Sequence, residues 1–263
     1  MHIWAVANQK GGVGKTTTTV TLAGLLAESG KRVLMLDLDP QGSLTTYFRH
    51  NPETLAKSTY DLFQPMQNVS RQMLFDAMLE TQNPNLKLFP ASTALATLER
   101  TATSQEGMGL AISRTLSLLW DDFDYVLIDS PPTLGVLLIN ALAACEMILV
   151  PVQTEFLALK GVERMLHTLK MVMQSKNKPL PHVLIPTLFD RRTQAGMQSL
   201  RKLRQDYPDE VWRSVIPVDT RLRDASSRGV LPSQLDPNGR GVRAYSLLLK
   251  NLMADDYLGQ APR

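Results

Sequence analysis

The 263-residue sequence has a single cysteine, Cys145, and no long uninterrupted apolar run. One cysteine cannot form an internal disulfide, a multi-cysteine zinc site or an iron–sulfur site within one chain. Cys145 follows small and apolar residues, so we expect a buried thiol that packs as a small hydrophobe. The longest uncharged stretch, Ser130 to Cys145, contains two prolines and is shorter than a membrane-crossing helix. The first residues lack the basic start and apolar region of a secretory signal, so we expect a cytoplasmic protein.

Neither sign of charge dominates the composition, but the charges are unevenly distributed. The chain has 28 basic and 25 acidic side chains, a net charge of +3. Residues 1–190 carry a net charge of −2 and residues 191–263 a net charge of +5. This basic carboxy-terminal part is either an ordinary solvated surface or an anion-binding one, and composition leaves both possibilities open.

Short apolar runs alternate with amphipathic stretches along the chain. Runs that are apolar on both faces are typical of parallel strands covered by helices. We therefore predict one α/β domain over residues 1–263, with a mostly parallel, twisted sheet flanked by helices on both faces. The predicted strands are Ile3–Ala7, Val33–Leu38, Leu86–Phe89, Tyr125–Ile128, Met147–Val152, His182–Pro186 and Trp212–Ile216, and the predicted helices include Lys15–Ser29, Leu110–Trp120 and Leu159–Met173.

One region interrupts this alternation. Residues 49–86 contain three prolines and little periodicity, and we expect an insertion or lid there. Its methionines Met66, Met73 and Met78 are expected to pack as ordinary core residues. Residues 191–263 are expected to be the basic carboxy-terminal part of the same domain.

A glycine-rich segment lies between the first predicted strand and the first predicted helix. It reads Lys10, Gly11, Gly12, Val13, Gly14, Lys15, Thr16 and Thr17 in order. Such a loop turns successive backbone N–H groups inward, and the helix N-terminus adds positive potential, so the segment predicts a polyphosphate site. Lys15 would reach the β- and γ-phosphates, Thr16 would offer its hydroxyl to Mg²⁺, and Thr17 would lie near the α-phosphate. Lys10 is a second cation at the start of the loop, and it could reach across to a neighbouring molecule.

Two aspartates follow apolar strands. Asp39 and Asp129 lie where ligands bind in open α/β sheets, at the carboxyl ends of parallel strands. A buried carboxylate is costly unless a cation lies nearby, and Mg²⁺ with its waters would satisfy it. We therefore assign Asp129 to Mg²⁺ through water.

Four ordered motifs resemble those of the ParA/MinD family of P-loop ATPases. They are the loop from Lys10 to Thr17, Asp37 to Gly42, Val126 to Pro132, and Ile216 to Arg223. The resemblance implies a SIMIBI-type nucleotide-binding fold that binds ATP and Mg²⁺, hydrolyses ATP slowly and forms a nucleotide-sandwich dimer. It implies that Lys10 crosses to the partner's phosphates. It also implies that Asp39 orients the attacking water and touches the metal shell, with Asp37 in support.

The resemblance extends to base and DNA contacts. The loops that hold adenine in this family correspond to Thr187 and to Pro217 and Asp219. Arg221 lies where partition proteins carry a DNA-contacting arginine, and arginines without interleaved aromatic residues suit sequence-independent phosphate contacts. The alternative is a solvated helix face with ion pairs to Asp206, Asp209 and Asp224. The candidate DNA-binding residues are Arg201, Lys202, Arg204, Arg221 and Arg223.

The family divides by what the ATP dimer binds. We expect a switch that positions DNA or a polar protein complex, acting at the nucleoid or a cell pole with a ParB-like or cargo-adaptor protein that stimulates hydrolysis. Residues 4–10, 151–161 and 186–193 are similar to an orphan ParA-like branch found with chemotaxis and flagellar genes. That similarity implies a chemotaxis array as cargo.

Two alternatives come from the same family. A biosynthetic ATPase of the cobyrinic acid a,c-diamide synthase type would need a substrate pocket, and usually a glutamine-hydrolysing partner domain with a nucleophilic cysteine. A MinD-like membrane ATPase would end in a basic amphipathic helix, whereas the acidic pair Asp255 and Asp256 near the end of this chain would repel anionic lipid. We therefore expect no membrane binding.

Overall fold

The computed structural model describes residues 1–65, 68–101, 108–155, 158–176 and 179–254. Within these ranges seven strands form one sheet: β1 (His2–Val6), β2 (Val33–Asp37), β3 (Leu79–Glu80), β4 (Leu86–Phe89), β5 (Tyr125–Asp129), β6 (Met147–Gln153) and β7 (His182–Thr187). Their order across the sheet is β3-β4-β2-β5-β1-β6-β7. The pairing of β3 with β4 is antiparallel, and the other pairings are parallel.

Helices connect the strands. In the described ranges they are α1 (Lys15–Glu28), α2 (Ser43–Tyr47), α3 (Arg71–Ala77), α4 (Leu95–Thr101), α5 (Ala111–Ser117), α6 (Val136–Ala144), α7 (Ala158–Lys176), α8 (Gln194–Asp206), α9 (Thr220–Arg228), α10 (Pro232–Leu235) and α11 (Arg240–Met253). The 3₁₀ helices Thr59–Phe63 and Met108–Leu110 precede α3 and α5.

The sheet has a separate hydrophobic core on each side, because successive strand residues point to opposite faces. Ile3 and Ala5 pack on one side with residues of α6 and α7. Trp4 and Val6 pack on the other side with residues of α1 and α11. The central strands β2 and β5 are buried along their whole length. This three-layer arrangement confirms the predicted α/β fold.

The predicted strand Trp212–Ile216 is wrong. The segment follows the edge of β7 but pairs only through isolated bridges, from Leu184 to Val211 and from Phe189 to Pro217. Between the bridges the backbone bends, and Nη2 of Arg204 donates to the carbonyl of Arg213 at 2.6 Å. Trp212 and Ile216 donate to the β7 carbonyls of Leu184 and Pro186, so four residues of this segment span only two of β7 and the stretch between them cannot form a regular ladder. The other predicted strands match observed ones to within one residue at each end.

The proline-rich region contains short elements. Residues 49–86 include the first 3₁₀ helix, α3 and the edge strand β3, and Leu62 and Leu74 from this region are fully buried. The packing predicted for Met73 and Met78 is confirmed, and Met66 lies outside the described residues.

Two further expectations concern burial and membranes. Cys145 is 5% exposed, which confirms a buried thiol. Among the helices described, none combines the length and the apolar character that a membrane crossing requires.

Candidate functional site

The segment between β1 and α1 has the backbone of a phosphate-binding loop. Gly12 and Gly14 have φ angles of 74° and 93°, a conformation that glycine adopts without strain. Apart from the adjacent residues of the loop, no described atom lies within 4 Å of the positions that side chains would occupy at Gly11, Gly12 and Gly14. No side chain caps the N-terminus of α1, which begins at Lys15. The loop is therefore an open cradle at a helix N-terminus, where an anion is stabilised.

Lys15 is the buried cation of this cradle. Lys15 is only 8% exposed. Burial lowers the pKa of the ammonium group, while the charges of Asp129 and Asp39 oppose that shift. A desolvated lysine beside free backbone N–H groups is suited to bind a polyphosphate.

Asp129 lies directly beside the loop. Thr16 Oγ1 donates a 2.6 Å hydrogen bond to Asp129 Oδ2. The other oxygen, Oδ1, is buried and has no hydrogen-bond partner among the described residues. Burial raises the pKa of Asp129, against the hydrogen bond from Thr16 and the charge of Lys15. An unpaired buried carboxylate oxygen is a vacant acceptor that a cation or its water would satisfy.

Asp37 is the register neighbour of Asp129 in the sheet, but its environment is different. Its Oδ2 accepts hydrogen bonds from the N–H and the hydroxyl of Thr45, at 2.8 and 2.7 Å, and its Oδ1 accepts from the N–H of Asp39. Burial and the charge of Asp129 raise its pKa. Because both oxygens are hydrogen-bonded, Asp37 holds the β2–α2 connection in place.

Asp39 lies on that connection and is half-buried. Its N–H donates to Asp37 Oδ1 at 3.1 Å, and its own Oδ1 accepts from the N–H of Gln41 at 2.9 Å. Burial raises the pKa of Asp39, whereas the Gln41 N–H and the charge of Lys15 lower it. The Asp39 carboxylate therefore interacts electrostatically with Lys15. It lies on a segment that hydrogen bonds to Asp37 hold in place.

The donor set fits Mg²⁺ bound together with phosphate. No group of three or more histidine, cysteine, aspartate or glutamate side chains that could hold a metal occurs within the described ranges. Mg²⁺ is commonly held by one or two protein oxygens together with phosphate oxygens and waters. The hydroxyl of Thr16 and the vacant oxygen of Asp129 match this requirement.

Lys10 contacts its own chain. Its N–H donates to Asn8 Oδ1 at 3.0 Å, and Asn8 in turn donates to the Pro151 carbonyl at 2.7 Å. The ammonium group pairs with the carboxylate of Glu155 and lies 3.3 Å from Gln153 Oε1. The second lysine of the loop is therefore held at the end of β6, beside the cradle. Its predicted crossing to a partner stays a prediction.

A cavity of about 420 Å³ opens beside the cradle. All three residues expected near a base line it, and the two polar side chains among them are already hydrogen-bonded within the protein. Thr187 Oγ1 donates to the Val13 carbonyl at 2.8 Å, and the two oxygens of Asp219 accept from the N–H groups of Arg221 and Gly241. The lining residues are Gly12, Gly14, Thr17, Thr187, Leu188, Ile216, Pro217, Val218, Asp219, Leu222, Arg223, Ser226, Ser227 and Tyr245.

The candidate DNA-binding residues lie on two helices. On α8, Lys202 pairs with Asp206 at 3.0 Å, and Arg204 is engaged by the Arg213 carbonyl. On α9, Arg221 lies 3.6 Å from Asp224 and 4.0 Å from Asp236. Two of the three ion pairs that the solvated-surface alternative expected are thus present. No ion pair involves Asp209, Arg201 or Arg223 within the described ranges, and Arg223 lines the cavity.

Sequence reasoning missed two sets of residues. Gln153 ends β6 and Glu155 comes two residues later, so the same rule about strand ends that selected Asp39 and Asp129 would have found them. The cavity residues on α9 and α11 carry no such signal, because only the tertiary fold brings them to the glycine loop. These are Leu222, Ser226, Ser227 and Tyr245.

The fold and this site define a P-loop nucleotide-binding protein. A family model described as "AAA domain" matches residues 1–182. The chain is 36% identical over 254 residues to the sporulation initiation inhibitor protein Soj of Bacillus subtilis. The alignment covers 96% of this chain and 98% of that protein. It is 38% identical over 257 residues to the chromosome-partitioning ATPase Soj of Thermus thermophilus, covering 95% and 94%.

A solved structure of a P-loop enzyme superposes on this chain over nearly its whole length. Cobyrinic acid a,c-diamide synthase from Mycobacterium smegmatis, with a bound ATP analogue and magnesium, superposes with a TM-score of 0.81 at 34% identity, covering 97% of this chain and 95% of that one. The chain belongs to the ParA/Soj family of P-loop ATPases. This confirms the resemblance stated from the motifs.

Proposed function

We propose that the protein is an Mg·ATP-dependent dimerisation switch that hydrolyses ATP slowly and positions or segregates a cargo. The cargo is DNA or a polar protein complex such as a chemotaxis array. In this proposal the ATP-bound dimer binds DNA without sequence preference at the nucleoid or a cell pole. A ParB-like or cargo-adaptor protein stimulates hydrolysis. Relatives named as a chromosome-partitioning ATPase and as chromosome partitioning protein ParA support this function.

The placement of the two loop lysines is the observation that carries the proposal. Lys15 lies inside the cradle and serves the protomer's own nucleotide. Lys10 lies at the rim, where Glu155 and Gln153 hold its ammonium group. A triphosphate on a second protomer would offer Lys10 a stronger anion than one exposed carboxylate. Loss of the γ-phosphate would weaken that contact, so dimer affinity would follow the nucleotide state.

The remaining residues define the chemistry of the protomer. Mg²⁺, when bound at Thr16 and Asp129, would neutralise charge on the phosphates. Lys15 and the loop N–H groups bind and orient the triphosphate, and Asp39 orients a water against it. Catalysis would therefore come from positioning and charge stabilisation. The diamide synthase alternative rests on the similarity to solved structures of that enzyme, whereas relatives that match most of the chain are named as partition proteins.

Light scattering on hydrolysis-blocked protein tests the switch. We expect Asp39→Ala to abolish phosphate release and to form dimers with Mg·ATP but not with Mg·ADP. Adding Lys10→Ala should keep nucleotide binding by the monomer and remove the ATP-driven dimers. Lys57→Ala, which removes an exposed lysine paired with Asp76, is the matched control and should dimerise normally. Monomers of Asp39→Ala at every concentration of protein and ATP would overturn the proposal.

A further inference from the structure

The junction between α9 and α10 contacts both segments that border the nucleotide site. Tyr47, the last residue of α2, is 6% exposed, and its hydroxyl donates to the Val230 carbonyl at 2.8 Å. Leu231 packs on α1, where a side chain at Gly24 would lie 3.1 Å from Leu231 Cδ2. Ser233 adds a 2.7 Å hydrogen bond to Glu28 at the end of α1. The junction therefore rests on the phosphate-loop helix and on the helix that follows Asp39.

The contact with the Asp39 segment leaves little room for a side chain at Gly229. Gly229 ends α9 with a φ of 70°, and a side chain there would lie 3.0 Å from Arg49 Cγ and 3.2 Å from the Tyr47 carbonyl. Arg49 itself has a φ of 69°. Within the described ranges, Arg49 and Leu188 are the non-glycine residues with positive φ. Leu188 lines the cavity of about 420 Å³ beside the glycine loop, which we call the nucleotide cavity. Such backbone conformations persist only where surrounding contacts impose them, and they are frequent in switch regions.

The path from Asp39 to this contact is short and continuous. Gly42 N–H donates to the Asp39 carbonyl at 2.8 Å, and α2 starts at the next residue. Asp37 fixes the middle of α2 through Thr45. The Asp39 segment and Tyr47 are therefore joined by a single helical turn of five residues, Ser43–Tyr47.

Helix α9 connects the junction to two different sites. Its inner face contributes Leu222, Arg223, Ser226 and Ser227 to the nucleotide cavity. Its outer face carries Arg221, which is 58% exposed. A helix that contacts Tyr47 and Arg49 at its C-terminus thus has one face on the cavity and an arginine on its exposed face.

We propose that the contact of Tyr47 and Arg49 with Gly229 and Val230 couples the Asp39 segment to α9, so that nucleotide state sets the affinity of α9 for a nucleic-acid backbone. Tyr47, Arg49 and Gly229 are positioning residues in this coupling, which rests on the DNA-binding part of the proposed function. Coupling between two sites is reciprocal, so DNA would change nucleotide affinity by the same factor.

The test uses full-length Tyr47→Phe, which removes only the hydroxyl, and Tyr60→Phe, a half-buried tyrosine in the opposite core, as the matched control. Affinity for a random-sequence duplex is measured with a non-hydrolysable ATP analogue and without nucleotide. We expect the ratio of the two affinities to fall at least about five-fold in Tyr47→Phe and to stay unchanged in Tyr60→Phe. ATP-driven dimerisation should be normal in both. An unchanged ratio in Tyr47→Phe would overturn the coupling.

Gly229→Ala provides a second perturbation, because its new side chain crowds Arg49 at a strained φ. It should lower the same ratio without changing the cavity residues.

If the wild-type chain binds no DNA, the DNA part of the proposed function fails, and amide hydrogen exchange then decides the coupling. The amide of Val230 donates to the Ala225 carbonyl. Its exchange should change on ATP binding in the wild-type chain and not in Tyr47→Phe, and the absence of any change in the wild type would refute the coupling.

Discussion

The phosphate end of the sheet and the basic surface of α8 and α9 use charge in different ways. At the phosphate end, Lys15, Asp37 and Asp129 are at most 8% exposed, and neighbouring backbone or hydroxyl groups fix both carboxylates. On the basic surface, Lys202 and Arg221 are 59% and 58% exposed; Lys202 makes one ion pair and Arg221 makes two longer ones. Buried charges interact strongly and exposed pairs contribute little. One region is therefore organised before any ligand arrives, whereas the other must order its side chains on binding.

The largest effect should follow from removing the buried cation. We expect Lys15→Ala to weaken ATP binding by about 30-fold or more, because truncating one partner of a buried charged contact costs about 2–5 kcal/mol. Titration calorimetry with Mg·ATP measures this loss. The control is Lys87→Ala, a partly buried lysine of β4 paired with Glu80 and distant in sequence from the glycine loop, which should bind ATP normally. Equal affinity in both variants would show that the cradle does not hold the triphosphate.

The contrast between the regions also explains what the sequence could predict. The cradle and the aspartates are predictable because their signals are local: glycines at fixed spacing, and carboxylates directly after apolar strands. The base cavity is only partly predictable, since Tyr245 arrives from α11 and makes a 2.9 Å hydrogen bond to Thr18. The edge segment after Trp212 was predicted wrongly because its apolar run does not reveal that its two ends pair with β7 residues only two apart, at Leu184 and Pro186.

A second effect should appear in the stability of the nucleotide-free protein. Burial raises the pKa of Asp129, and both burial and the charge of Asp129 raise that of Asp37, so the folded state binds protons more tightly than the unfolded state. Their stabilising contribution is present at acid pH and is lost as the pH rises through the neutral range. Asp129→Asn removes one of the two buried charges, while its side-chain oxygen can still accept the hydrogen bond from Thr16.

We therefore expect nucleotide-free Asp129→Asn to melt above the wild-type chain at pH 8, and the difference to shrink at pH 5. A gain of about 1 kcal/mol corresponds to about 2–4 °C for a chain of this size. The variant should also lose the rise in Tm that Mg²⁺ and ATP give the wild-type chain. Calorimetric scans at the two pH values measure both effects, with Asp121→Asn at the exposed surface as the control. A lower Tm for nucleotide-free Asp129→Asn at pH 8 would contradict the electrostatic argument.

The smallest effects should come from the basic surface, and they should add across residues. Arg201 and Lys202 are adjacent on α8, but Lys202 is paired with Asp206, whereas Arg201 makes no ion pair within the described part of the chain. If both side chains contact DNA phosphates, Arg201→Ala should lower the slope of log affinity against log salt concentration by about 1 for the ATP-bound protein, which corresponds to one lost phosphate contact. Lys202→Ala should reduce it less, because its ammonium must first leave Asp206. Binding isotherms on random-sequence duplex at several salt concentrations would measure the slopes. Slopes that match the wild type in both variants, with ATPase rates indifferent to DNA, would indicate an ordinary solvated surface and shift the cargo to protein alone.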